Sequence, residues 1–497
     1  MGKPPDPVCI VIFGATGDLT GRKLVPALFS LAQENRLPAS YSIVGFARRS
    51  WGDDEFRNEM LAGVTKFSRH KPDQNSMWSD FASNLSYVRG DFDDQGSYIE
   101  LDAFLKKQAE QRQMPDNRAY YLAAPPQSYA DIVTNLGATG MTGDEAIGWR
   151  RIIIEKPFGS DLETARELNK TTHRVFREQQ IYRIDHYLGK ETVQNLLVLR
   201  FANTIFEPIW NRSYVDHVQI SVAESVGVGS RAGFYDQAGV ARDIFQNHLL
   251  QILSLIAMEP PVAFEADAIR DEKVKALRAV RPVTDMKMET IRAQYGPGIV
   301  DGESVSGYIK EPNVPAQSQT ATYAAIKWHI DNWRWEGVPF YTRSGKRMVT
   351  RASEVSIHFK RPPHLLFDVM DDEKLRSNVL AIRIQPDEGI SLRTEAKLPG
   401  LSMVRRSVTM DFRYGTSFGV TDPPDAYERL LLDAMLGDAT LFARSDEIER
   451  AWALMDPILR GWNGKRAPTL ETYESGTWGP KGADDLIERD GRHWRRL

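Results

Sequence analysis

The chain of 497 residues lacks the features that mark most specialised protein classes. It has one cysteine, Cys9, which excludes an intramolecular disulfide framework and any multi-thiolate metal site, and which suits a reducing compartment. No segment approaches the ~18 consecutive apolar residues that span a bilayer. Charge of one sign is missing too. The 63 Lys and Arg against 67 Asp and Glu leave a net charge of −4, a field that supports neither nucleic-acid nor membrane-surface binding. Gly (36) and Pro (27) occur in ordinary amounts, which removes collagen-like and low-complexity classes. Residues 1–7 do not have the layout of a cleavable signal, and Asp6 stands where a myristoylation signal wants Ser or Thr. The expectation is a globular, cytoplasmic chain, 42% hydrophobic and long enough for two or more domains.

Val8–Phe13 is an uninterrupted apolar run that stops at Gly14-Ala15-Thr16-Gly17-Asp18-Leu19. Such a run ahead of a glycine turn predicts a strand buried on both faces of a parallel sheet. Leu24, Ala27, Leu28 and Leu31 then recur at helical spacing, up to Pro38, and Tyr41–Ala47 reads as the next strand. A βαβ unit with glycines at its first turn lets backbone approach a pyrophosphate at a helix N-terminus. The pattern is G-x-x-G-D-L and not the full G-x-G-x-x-G, so a tight structural turn would look the same. The end of the second strand discriminates better. NAD-binding units usually carry Asp or Glu there, whereas this chain has Arg48 and Arg49, which suit a 2′-phosphate and favour NADP. A second Gly137-Ala138-Thr139-Gly140 follows a polar helical stretch at 129–136 instead of a buried strand, and is read as a loop.

Residues 86–88, 118–123 and 151–154 continue the strand pattern, with helical stretches between, as in an open doubly wound sheet whose ligand lies beyond the carboxyl ends of its strands. The last of them runs into Glu155-Lys156-Pro157-Phe158-Gly159, so Lys156 stands where an ammonium can meet an oxygen of cofactor or substrate. Residues 182–191 form the densest polar cluster, placed at a helix start. His186, Tyr187 and Lys190 there suit a phosphate dianion, or simply a polar capping loop. Residues 242–253 form a largely apolar helix around His248, and periodicity does not decide between a core histidine and a base. In the second half, residues 218–222, 355–359, 380–384 and 408–412 alternate with period two, which predicts a largely antiparallel sheet with one buried face. A helix at 427–436 is bounded by an Asp425 cap and a Gly437 stop.

The strings GATGDLTGRKL (14–24), EKPFG (155–159), RIDHYLGKE (183–191), RDIFQNHLLQ (242–251), SGKR (344–347) and IRIQPDEG (382–389) together resemble the bacterial-type glucose-6-phosphate dehydrogenase family over nearly the whole chain. The resemblance implies a Rossmann-like doubly wound α/β domain at 1–184. It implies an α+β domain at 185–497 with a large, mainly antiparallel sheet for substrate binding and oligomerisation, as a homodimer or homotetramer. It implies oxidation of C1 of β-D-glucose 6-phosphate to 6-phosphoglucono-1,5-lactone with hydride transfer to NADP+, the first oxidative step of the pentose phosphate pathway, with no metal. By the same resemblance His248 is the general base, and Asp185 hydrogen-bonds its imidazole. His186, Tyr187 and Lys190 hold the sugar phosphate, Glu224, Asp243 and Lys346 contact sugar hydroxyls or phosphate, and Lys156 lies between sugar and nicotinamide. Gly14, Thr16, Gly17, Asp18, Leu19, Arg48, Asp91, Tyr129 and Lys156 line the coenzyme site.

One departure stands out. Animal members bind a second, structural NADP beside the sheet through basic and aromatic residues, and the matching places here are Ala352, Ser356 and Ser391, although Arg383 and Arg393 remain. No structural NADP is expected. The arginine-rich tail at 489–497, with Trp494, is read as a solvated or packed terminus. Two other functions fit parts of the sequence. A different Rossmann-domain sugar oxidoreductase could use a Glu-Lys-Pro strand end but would not need DHYLGKE, and a non-catalytic NADP-responsive protein could dispense with His248.

Overall fold

The computed structural model describes residues 4–72, 77–143, 147–364, 376–419, 423–465 and 467–497. Two compact units divide the chain. The first comprises Met1–Lys190, Ala263–Arg270 and Asp422–Glu449, the second Glu191–Val262, Asp271–Thr421 and Arg450–Leu497.

The first unit is built on β1 (Val8–Phe13), β2 (Tyr41–Ala47), β3 (Leu85–Arg89), β4 (Arg118–Leu122), β5 (Arg150–Ile154) and β6 (Ile181–Ile184), which lie side by side in the order β6-β5-β4-β1-β2-β3. All five pairings among them are parallel. Every residue of β1 and β4 is buried, which explains the unbroken apolar run of β1 and the apolar or aromatic residues of β4 that follow Arg118, itself buried in ion pairs with Asp102 and Asp116. The chain winds outward from β1 in both directions, so a switch point falls between β1 and β4, where such sheets hold ligands. A two-residue strand, Phe442–Ala443, adds an antiparallel edge beside β6.

Several expectations are refined. The first helix runs over Val25–Gln33, short of Pro38, and is preceded by a π-helical turn, Thr20–Leu24. Residues 182–184 belong to β6 and not to a helix start; the helix begins at Glu191. The strand was masked by Arg183, which is buried because Glu178 (2.7 Å) and Asn169 (3.0 Å) take up its donors. The second Gly-Ala-Thr-Gly is not a loop throughout: Gly137 and Ala138 complete the helix Tyr129–Ala138, and the chain turns at Gly140 with φ 71°. The helix Ala426–Leu436 has its cap at Asp425, whose carboxylate accepts from the Tyr427 N–H at 2.9 Å, and its stop at Gly437 with φ 83°. It packs in the first unit, where Lys23 pairs with Asp425 and Arg151 donates to the carbonyl of Ala434.

The second unit carries β7 (Val215–Ala223), β8 (Thr290–Val300), β9 (Glu303–Val305), β10 (Tyr323–Trp328), β11 (Phe340–Gly345), β12 (Ala352–Phe359), β13 (Val379–Gln385), β14 (Gly389–Lys397) and β15 (Arg405–Arg413). Its ten-stranded sheet runs β15-β14-β13-β12-β7-β11-β10-β8, closes with a strand at Leu470–Ser475, and has β9 paired on β8. Pairing is antiparallel except for β7 with β11 and for β8 with the last strand. The expectation of one buried face fails at the centre, where β7, β10, β11 and β12 are buried on both sides. Ala232, Tyr235 and Leu486 from flanking helices join Ala293, Tyr323 and Tyr473 of the sheet in one core cluster. The C-terminal tail is packed. Arg492 pairs with Asp216 (2.8 Å), Arg495 with Glu354 (2.8 Å), and the Trp494 indole donates to the Ala483 carbonyl (2.7 Å).

Candidate active site

In the first unit the candidate residues sit just past the carboxyl ends of successive strands. Gly14 follows β1, Arg48 follows β2, Asp91 lies two residues beyond β3, Lys156 lies two residues beyond β5, and Asp185 follows β6. The turn after β1 needs glycine. Gly14 has φ 86°, and a Cβ there would stand 2.5 Å from the Ala123 carbonyl oxygen at the end of β4. Close approach of β1 and β4 at the switch point therefore fixes residue 14, while Gly17 and Asp18 are exposed and Thr16 and Leu19 half-buried along the turn. Arg48 is exposed and makes no ion pair or hydrogen bond among the described residues, a free guanidinium at the strand end where a ribose would lie. Its neighbour Arg49 rests against the Trp51 ring at 5.3 Å. The donor set fits a phosphorylated dinucleotide: a tight glycine turn at the switch point and a cation one strand away.

Lys156 is half-buried beside a buried carboxylate. Glu155 accepts from the Tyr121 hydroxyl at 2.5 Å, and Tyr427 and the Lys156 N–H also bond it. Burial pushes the Glu155 carboxyl up, opposed by those donors and by the Lys156 charge. Tyr129 is buried at the start of its helix, its phenol held neutral by burial and by the Glu155 charge. The same Tyr427 ring stacks on His186, with centroids 6.5 Å apart and planes at 10°.

After β6 the chain turns tightly. Asp185 accepts from the Tyr187 N–H at 3.0 Å, and its carbonyl from the Leu188 N–H at 3.0 Å. The Lys190 ammonium lies 4.2 Å from the centre of the Tyr187 ring. One turn thus gathers Asp185, His186, Tyr187 and Lys190.

The second unit brings together two residues far apart in sequence. Ala223 and Gly345 are register partners in parallel β7 and β11, so Glu224 and Lys346 emerge side by side, and the Glu224 N–H donates to the Gly345 carbonyl at 3.0 Å. Their side chains pair at 2.7 Å. Lys346 is further fixed by its N–H to the Thr322 carbonyl and by the Tyr473 hydroxyl on its own carbonyl. Asp243 and His248 lie on the π-helical segment Ala241–Leu249, five residues apart and so one turn apart. His248 is 1% exposed, and its N–H donates to Asn247 Oδ1 at 2.6 Å.

Family models match both parts of the chain: "Glucose-6-phosphate dehydrogenase, NAD binding domain" over residues 11–195 and "Glucose-6-phosphate dehydrogenase, C-terminal domain" over 197–495. The chain belongs to the glucose-6-phosphate dehydrogenase family. A glucose-6-phosphate 1-dehydrogenase of Aggregatibacter actinomycetemcomitans is 49% identical over 492 residues, 98% of this chain and 97% of the relative. Glucose-6-phosphate 1-dehydrogenase 2 of Mycobacterium tuberculosis is 46% identical over 490 residues, 99% and 95%. A solved glucose-6-phosphate dehydrogenase in complex with its substrate glucose-6-phosphate matches with TM-score 0.91 at 36% identity, covering 100% of both chains. The doubly wound N-terminal part and the large C-terminal sheet are those of this dehydrogenase family, and its first part is a nicotinamide-dinucleotide domain. No helix among the described residues is long and apolar enough to cross a membrane.

Sequence reasoning did not single out Glu155, Tyr121, Tyr427 or Tyr235. Glu155 stood in a quoted motif and could have been flagged as a carboxylate directly after three buried isoleucine positions. The tyrosines carried no such signal, since a core aromatic and a site aromatic look alike in a sequence.

Proposed function

We propose that the chain oxidises C1 of glucose 6-phosphate to 6-phosphoglucono-1,5-lactone with NADP+ as hydride acceptor. The supporting observation is the row of unlike groups past the carboxyl ends of neighbouring strands: the glycine turn after β1, free Arg48 after β2, Lys156 after β5 and Asp185 with His186 after β6. Arg48 meets the 2′-phosphate, which selects NADP over NAD. Gly14, Thr16, Gly17, Asp18, Leu19, Asp91, Tyr129 and Lys156 complete the coenzyme site. His186, Tyr187 and Lys190 hold the sugar phosphate, whose binding energy positions a carbon distant from it. Lys346, Glu224 and Asp243 contact sugar oxygens.

The hemiacetal C1 releases hydride only as electron density builds on its oxygen, so a base must take the hydroxyl proton. His248 is that base, histidine being the side chain suited to proton transfer near neutrality, and Asp185 offsets the imidazolium that forms. NADP+ supplies the hydride acceptor and no metal is needed. The dinucleotide-binding role falls to residues 1–184 and the sugar-binding and assembly roles to 185–497, in a cytoplasmic enzyme. The outer strand β15 exposes Val408 (41%) and Met410 (56%), which favours a homodimer or homotetramer built on this sheet.

The test is absorbance of NADPH at neutral pH on adding glucose 6-phosphate, free glucose and other hexose phosphates in turn. Rapid reduction with glucose 6-phosphate alone supports the proposal; equal rates with free glucose or no reduction at all overturn it.

A further inference from the structure

Tyr235, on the helix Ala232–Val240, is 4% exposed, and its hydroxyl has no hydrogen-bond partner among the described residues. Three tyrosines of the same core are satisfied: Tyr295 donates to Glu311, Tyr308 to Asp236 and Tyr473 to the Lys346 carbonyl. The Tyr323 hydroxyl, like that of Tyr235, has no partner among the described residues but lacks the ion pair beside its ring. A buried hydroxyl without a partner is destabilising, so the persistence of the one on Tyr235 calls for a use. Its surroundings supply one. The Lys346 ammonium sits 5.0 Å from the centre of the Tyr235 ring while bonding Glu224 at 2.7 Å. Burial, then the charges of Asp243 and Glu224, holds the phenol protonated, so it remains a donor at every working pH.

We propose that Tyr235 is a positioning residue of the sugar site, whose hydroxyl takes over Glu224 when Lys346 turns from that carboxylate to an oxygen of the bound sugar phosphate. The argument rests on Lys346 and Glu224 being substrate-binding groups, as proposed above. In the free protein Lys346 neutralises Glu224. A ligand that draws the ammonium away would strip a partly buried carboxylate of its counter-ion, a loss that opposes binding. A neutral donor whose ring adjoins that ion pair, and whose phenol feels the Glu224 charge, can restore one charge-assisted hydrogen bond without competing for the ammonium beforehand. The ring meanwhile keeps a favourable face under the cation through the exchange.

Tyr235→Phe keeps the ring and removes the hydroxyl. It should raise KM for glucose 6-phosphate roughly tenfold while lowering kcat less than about twofold and leaving KM for the coenzyme in place. In a Glu224→Gln background the same substitution should have little further effect, because an amide loses no counter-ion when the lysine departs. An unchanged KM, or a tenfold rise that persists undiminished in Glu224→Gln, overturns the exchange. Lys346→Ala separates this failure from that of the underlying reading: if it leaves the kinetics with glucose 6-phosphate unaltered, the cluster does not bind substrate at all. Unfolding midpoints of all variants, measured in urea, identify loss of fold; a KM rise in Tyr235→Phe that comes with a collapsed midpoint and an equal fall in kcat counts against the positioning role.

Discussion

On the proposed function, the coenzyme choice rests on a single side chain, Arg48. Its guanidinium is exposed and unpaired among the described residues, so it has no internal bond to lose on meeting a 2′-phosphate and nothing to grip on a bare 2′-hydroxyl. Arg48→Ala should raise KM for NADP+ about tenfold or more and leave KM for NAD+ nearly unchanged. Parallel initial-rate measurements with the two coenzymes check this, and equal rises would make the arginine structural. Glu155 is the opposite kind of residue, wholly internal. Truncation by Glu155→Ala strips the Tyr121 and Tyr427 hydroxyls of their acceptor, and each buried group so orphaned costs about 1–3 kcal/mol. A lower urea midpoint for Glu155→Ala, with a milder loss for Glu155→Gln, is expected. An unshifted midpoint would mean that the tyrosines find other acceptors.

At the level of elements, β7 and β12 carry an imidazole pair between them. His217 and His358 stack with centroids 4.1 Å apart. Burial lowers both below the ordinary 6.5, and for His358 the charge of His217 and of Arg495 and Arg393 adds to it, while Asp216 opposes. Below pH 6.5 the unfolded chain therefore binds protons that the folded chain refuses. Stability from this pair is fully present above about pH 6.5 and falls as pH drops through that value. Thermal midpoints should decline from pH 7 toward pH 5, and more shallowly in His358→Gln; identical slopes would contradict the coupling. The elements also show what a linear pattern conveys. β1 was readable because a strand buried on both faces is apolar without a break, and β2 because Ser42 is the one polar residue in its run. β6 was not, since Arg183 hides its burial behind an ion pair, and β10 and β11 were missed because short, evenly buried runs with Lys327 or Arg343 inside them show neither period. Among site residues, those at strand ends were legible because an apolar run points at them. Tyr235 was not, because nothing local separates a satisfied core phenol from an orphaned one.

For the molecule as a whole, the local pattern missed where the chain returns. Asp422–Glu449 lies late in the sequence and packs in the first unit, and the order of strands in the large sheet depends on pairings between segments more than a hundred residues apart, such as β7 with β11. Assembly is a property of this scale too. If β15 is covered by a second copy, Met410→Asp should shift sedimentation toward the monomer mass, whereas an unchanged mass would place the interface elsewhere. The central claim, that this member of the family oxidises glucose 6-phosphate with His248 as base, is tested most directly by comparing NADPH formation from glucose 6-phosphate by the wild-type chain and by His248→Asn, with sugar-phosphate binding measured by calorimetry alongside. The expected result is a turnover lowered about 10²–10⁴-fold with binding nearly unchanged; near-normal turnover in the variant would contradict it.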